Sequence, residues 1–96
     1  MSGTPETLTV AYEENGRILI RELDKVILSK GAWATVLFRY QELDSETETY
    51  GPDKYAIRRY KKSGGEYRMQ SKFNISSSEQ ARKIVDALSG WLEDRA

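Results

Sequence analysis

Seven of the fifteen basic residues of this 96-residue chain fall between Lys54 and Ile75, in a stretch holding a single acid, Glu66. Tyr55, Tyr60, Tyr67 and Phe73 are interleaved with the bases. Residues of these types at this density suit one kind of chemistry. Lysine and arginine neutralise phosphates, and an exposed ring offers a platform on which a base stacks, worth about 1–3 kcal/mol per base whatever the base is. Duplex DNA hides the faces of its bases, so exposed rings on a sheet favour a single strand. The plain alternative is that solvent-facing strands carry lysine and arginine for solubility and edge protection, and tyrosine for its β-propensity.

Other chemistries have little to stand on. The chain has no cysteine and no histidine, which excludes disulfides, thiol nucleophiles, imidazole bases and the usual soft metal sites. No pair of carboxylates, hydroxyls or lysines stands at a spacing that suggests catalysis, so a protein that is not an enzyme, with no cofactor and no small-molecule substrate, is expected. Asp44, Glu46 and Glu48 alternate along an acidic segment, but Gly51 comes too late and no closing glutamate follows, so the EF-hand spacing is not met and no metal is expected. The formal net charge is zero, yet it is segregated. Residues 40–53 carry five acids and no base, residues 54–75 seven bases and one acid, and the two flanking blocks are nearly balanced. The positive field is local. Neither a membrane span nor a secretory leader is legible, which makes a cytoplasmic, non-membrane protein the expectation.

The elements that must position these residues form one domain. Residues 1–7 read as a disordered tail and residues 8–96 as a sheet with a helix. "LTVAY" and "RILIREL" flank Asn15-Gly16, a pair suited to a tight hairpin turn. In "RILIRELDKVILSKG" the positions of Leu19, Leu23, Val26 and Ile27 fit a helical stripe, whereas the clustered β-branched residues fit a strand; strand is preferred. "AWATVLFRYQEL" alternates cleanly and predicts a long strand. "DSETETYGPD" is a solvated loop, and "KYAIRRYKK" and "EYRMQSKFNI" make a hairpin about Ser63-Gly64-Gly65. Ser76 with Glu79, or Ser77 with Gln80, caps a terminal helix whose Ala81, Ile84, Val85, Leu88, Trp91 and Leu92 form one apolar stripe. The fold class is α+β: a curved antiparallel sheet of four to five strands packed against one C-terminal helix. So apolar a stripe in so small a chain predicts a homodimer formed through Ile84, Leu88, Trp91 and Leu92.

Period-two alternation divides the hairpin. With Tyr55, Ile57, Tyr67, Met69 and Phe73 turned toward the helix, Arg58, Tyr60, Lys62, Arg68 and Lys72 point outward. With Ala34, Val36 and Phe38 inward, Trp33 and Arg39 join the same outer face. These seven residues, Trp33, Arg39, Arg58, Tyr60, Lys62, Arg68 and Lys72, form the expected nucleic-acid surface.

The order of these segments resembles that of bacterial relatives of the transcriptional coactivator positive cofactor 4. In that family a strand of the form Tyr-x-Ile-Arg-x-aromatic is matched by Tyr55, Ile57, Arg58 and Tyr60. Its Lys-Gly-Ile segment before a capped helix is matched by Lys72, Ile75, Ser77 and Glu79, with Phe73-Asn74 in place of the glycine. The resemblance covers roughly residues 17–92. It implies a curved sheet dimerised through its helices, single-stranded DNA lying across the paired sheets, and contacts from Arg58, Tyr60 and Lys72. The function so implied is single-stranded nucleic-acid binding, of DNA or RNA, as an accessory factor in transcription or DNA metabolism. The competing expectation is a protein-interaction module that dimerises through its C-terminal helix.

Overall fold

Ala34, Val36, Phe38 and Tyr40, every second residue of one strand, are all buried and set the centre of the molecule. The computed structural model describes residues 3–93. Its strands are β1 (Tyr12–Glu14), β2 (Arg17–Ser29), β3 (Trp33–Asp44), β4 (Thr49–Tyr50), β5 (Lys54–Ser63) and β6 (Glu66–Ile75), and they are followed by one helix, α1 (Ser78–Glu93). All strand pairs are antiparallel, in the order β1-β2-β3-β5-β6, with the short β4 paired to the end of β3. The α+β class holds, with a six-stranded sheet. The β1–β2 and β5–β6 hairpins turn where the sequence places them, although the first strand is Tyr12–Glu14 and not the expected "LTVAY". Asn15 and Gly16 (φ 54° and 79°) and Gly64 and Gly65 (φ 61° and 83°) take the positive φ values that a two-residue hairpin turn of the right twist demands.

The N-terminal segment covers the core, from Pro5 in the expected tail to Leu8 and Val10 in the stretch read as the first strand. Pro5–Thr7 form a turn of 3₁₀ helix, Pro5 is buried, and Leu8 and Val10 pack into the main core cluster with Ala34, Val36, Phe38, Tyr40, Ala56, Tyr60 and Tyr67. Met1 and Ser2 lie outside the described residues. Lys25 ties the segment down, its Nζ donating to the carbonyls of Glu6 (2.6 Å) and Leu8 (2.5 Å). The Thr9 hydroxyl donates to Glu22 (2.5 Å), and Lys30 pairs with the Glu6 carboxylate at 3.4 Å. The backbone amide of Glu6 itself, with help from Lys30, holds that carboxyl below its ordinary value, against some desolvation.

The helix is capped as one of the two expected pairs allows: Ser77 Oγ accepts from the Gln80 amide at 3.1 Å, and Gln80 Oε1 reaches back to the Ser76 amide at 2.6 Å. It buries no residue. Gln80, Ala81 and Ile84 are half-buried, the principal contacts are with β5 and β6, and the remainder of the stripe is open. The expected packing of sheet on helix is therefore confined to the first two turns. The molecule measures 52 × 38 × 17 Å, and its radius of gyration of 15.5 Å exceeds the roughly 12.5 Å expected of a compact chain of this length.

Candidate nucleic-acid interface

Register decides which side chains share a face, because residues paired across an antiparallel ladder project to the same side. Val36 pairs with Arg58, Ala34 with Tyr60, and Phe38 with Ala56. Arg58, Tyr60 and Lys62 therefore share the face of the core strand that the N-terminal segment covers. On β6, Lys72 pairs with Arg58 and Tyr67 with Lys62, so these two belong to the covered face as well. Trp33, Thr35, Leu37, Arg39 and Gln41 occupy the opposite, open face, together with Tyr55, Ile57, Arg59 and Lys61 of β5 and Arg68, Ser71 and Phe73 of β6.

The expected single surface is thus divided in two. Arg58, Tyr60, Lys62 and Lys72 project from the covered face, and Trp33, Arg39 and Arg68 from the open one. Two features of the chain cause the difference. Even-numbered residues of β3 pair with even-numbered residues of β5, which puts Ala56 and Tyr60 with the core and Ile57 away from it. A bulge at Gln70, between the pairs Arg59–Ser71 and Tyr60–Met69, then reverses the phase of β6, so Tyr67 and Met69 part company with Phe73.

Tyr60 is a core residue, 5 % exposed, and not an outward stacking platform. Its hydroxyl is buried without a hydrogen-bond partner, as is Nε of the half-buried Arg58, whose guanidinium lies 5.9 Å from the Phe38 ring centre. Tyr67 is buried too, its hydroxyl donating to the carbonyl of Gly31, with Lys62 Nζ 5.7 Å from its ring. Arg39 is engaged by Asp53 at 3.0 Å, and Asp53 also accepts from Gln41 at 2.8 Å. Lys62, Arg68 and Lys72 are exposed.

Of the two rings in the expected surface, Trp33 stands open, 40 % exposed. The Arg59 guanidinium lies 4.5 Å from its centre and Lys61 Nζ 5.6 Å, a cation–π arrangement of a tryptophan between two bases. Trp33, Lys61 and Arg68 lie in register as one cross-strand row, from the third strand of the sheet to its edge. Arg59 and Lys61 were not among the expected contacts. The signal was present in "RRYKK": bases at both parities put cations on both faces whichever way the strand is turned.

The electrostatics sharpen this picture. Three of the five acids of the preceding segment are engaged elsewhere, Glu42 on Lys54 (2.8 Å), Glu48 on Arg17 (2.8 Å) and Asp53 on Arg39. The Glu42 carboxylate raises the Lys54 pKa above its ordinary value. Among the described residues, none of the six bases from Arg58 to Lys72 forms an ion pair within 4 Å. No group of three or more acids, histidines or cysteines there is arranged to hold a metal, and no helix is long and apolar enough to cross a membrane.

The open face also bears an apolar row, Val26–Leu37–Ile57–Phe73, one residue from each of four adjacent strands. Val26 and Phe73 are half exposed, and beside the row lies a shallow hollow of about 180 Å³ lined by Asp24, Val26, Leu37, Arg39 and Tyr55. Of the expected dimer residues, Ile84 is half-buried against the sheet and Leu88, Trp91 and Leu92 are exposed. Comparison with protein-family models, with curated proteins and with solved structures finds no match for this chain.

Proposed function

We propose that the protein binds single-stranded nucleic acid through the β5–β6 hairpin and Trp33, in the manner of an accessory factor in transcription or DNA metabolism. The observation that carries this reading is the row Trp33–Lys61–Arg68 with Arg59 over the indole, an exposed ring set among cations that have no acidic partner. Cations so placed gain from phosphate neutralisation, and the open part of the ring can take a base. The resemblance to the positive cofactor 4 family points to the same ligand; of the contacts it implies, Arg58 and Lys72 lie on the same hairpin, on the face opposite Trp33, and Tyr60 is buried.

The test is fluorescence anisotropy with a labelled oligothymidine at a series of salt concentrations. Saturable binding is expected at low salt, weakening steeply as salt rises. Replacing Arg59 and Lys61 by alanine lowers the log-log slope by about 0.7 for each phosphate that is no longer neutralised, whereas Trp33→Ala weakens binding with little change in slope. No saturable binding by the unaltered protein at low salt overturns the reading.

A second reading concerns assembly. A sheet face that is apolar must be covered. The stripe Val85, Leu88, Trp91 and Leu92 and the row Val26–Leu37–Ile57–Phe73 are both open on one chain. The accessible surface of 6867 Å² exceeds the about 5,600 Å² typical of a monomer of this mass by more than the roughly 800 Å² that each partner buries in a standard interface. The occupant that fits is a second copy of the chain, making a homodimer in which the helix stripe helps to cover the open face.

A further inference from the structure

The six unpaired bases of the hairpin are divided evenly: Arg58, Lys62 and Lys72 project from the covered face, Arg59, Lys61 and Arg68 from the open one. Between the two sets lies β6, which ends the sheet and has no neighbour on its outer side. From Arg68 to Asn74 every residue of β6 is exposed. Neither face offers a broad basic floor. The covered face is closed by the N-terminal segment from β2 toward the hairpin, and the open face gives way beyond the Thr35–Arg59–Ser71 row to the apolar row. What connects the cations is the edge itself.

Resting on the proposed binding of a single strand, the geometry points to a ligand path that crosses the open face and wraps round the β6 edge. The strand stacks a base on Trp33 and follows Lys61 to Arg68, a distance of two strand spacings or about 10 Å. It turns over the edge and meets Lys72 and Lys62 on the other side. A flexible single strand can make this turn, and a duplex, whose persistence length is about 150 base pairs, cannot. The ligand is thus a phosphodiester single strand long enough to reach both faces. The bulge at Gln70 supports the path: it interrupts regular pairing at the middle of β6, where a twisted edge resists addition of another protein strand, and leaves the edge to other ligands.

Anisotropy titrations of the full chain with labelled dT20, dT4 and an oligouridine of twenty nucleotides test this. The double variant Lys62→Ala, Lys72→Ala alters only exposed side chains, and its melting curve verifies folding. With dT20 it is expected to lower the salt slope by about 1.4, two phosphates at about 0.7 each, while binding of dT4, which spans one face, changes little. Equal weakening for dT20 and oligouridine assigns the two lysines to the shared phosphodiester chain. If the double variant binds dT20 with unchanged affinity and slope while Arg59→Ala, Lys61→Ala weakens it, the ligand stays on one face and the wrapped path is overturned, with the proposed function intact. If the unaltered protein binds no oligonucleotide, both fall.

Discussion

The N-terminal segment and helix α1 exchange the roles that their sequences suggest. The helix has a cap, a continuous apolar stripe and sixteen residues, and it buries none of them. The segment from Pro5 to Val10 is short, with a proline and two threonines, and it contributes three buried residues and several polar anchors to the sheet. Amphipathic spacing measures a demand for cover, not the element that meets it. A sheet with an apolar row on each face needs two covers, and within one chain the short segment supplies one while the helix packs only by its first two turns.

Four substitutions press on this contrast. The largest effect belongs to Leu8→Ala, which empties a position 4 % exposed and is expected to destabilise the fold by about 2–5 kcal/mol in urea titration, whereas Leu88→Ala in dilute protein stays within about 0.5 kcal/mol. Equal losses at the two positions would erase the distinction between them. Next is Trp91→Ala. If a second copy covers the stripe, the melting temperature of the native chain rises with protein concentration, and the variant loses that dependence together with about 2 kcal/mol of association. Light scattering that finds a monomer at high micromolar concentration removes this prediction's basis.

The smallest effect is that of Tyr60→Phe. The hydroxyl it removes is buried and unpartnered, so stability should hold or rise by up to about 1 kcal/mol, and oligothymidine binding should not change. A clear fall in binding would return Tyr60 to the ligand surface. Tyr60→Ala is no test of binding, since it opens a cavity in the core.

Strands β3, β5 and β6, the two hairpin turns and the cap were legible because each depends on neighbouring residues alone, whereas "LTVAY" is a strand only from Tyr12 and the expected loop holds β4. The alternation from Ala34 to Tyr40 names its own buried face, and Asn15-Gly16 and Gly64-Gly65 carry their own backbone requirement. Strand β2 was ambiguous for a physical reason. Its bulge at Leu23 adds a residue, which brings Leu19 and Val26, seven apart, to the same face and so imitates the spacing of a helix. The candidate site depended on something no single segment holds, the phase of β5 relative to β3. The acidic connection between them, with the small β4 hairpin inside it, carries no hydrophobic pattern from which to count. Trp33 and the cationic hairpin could therefore be named, while the division of the cations between two faces could not.

Gln70 makes the edge strand unequally tolerant of changes in length. A strand can be likened to a text in which odd and even letters are printed on opposite sides of the page, and here the text changes frame at one letter. Residues before and after Gln70 already stand as if it were missing, so its deletion should leave Tyr67 in the interior and Lys72 outside, with no neighbour crossing the sheet. Inserting a residue at the same place would keep the faces, because two extra residues restore the alternation, but would slip the pairing by two and carry Tyr67 from its place opposite Lys62 into the turn. At this edge, a single-codon change can thus be silent in one direction and disruptive in the other.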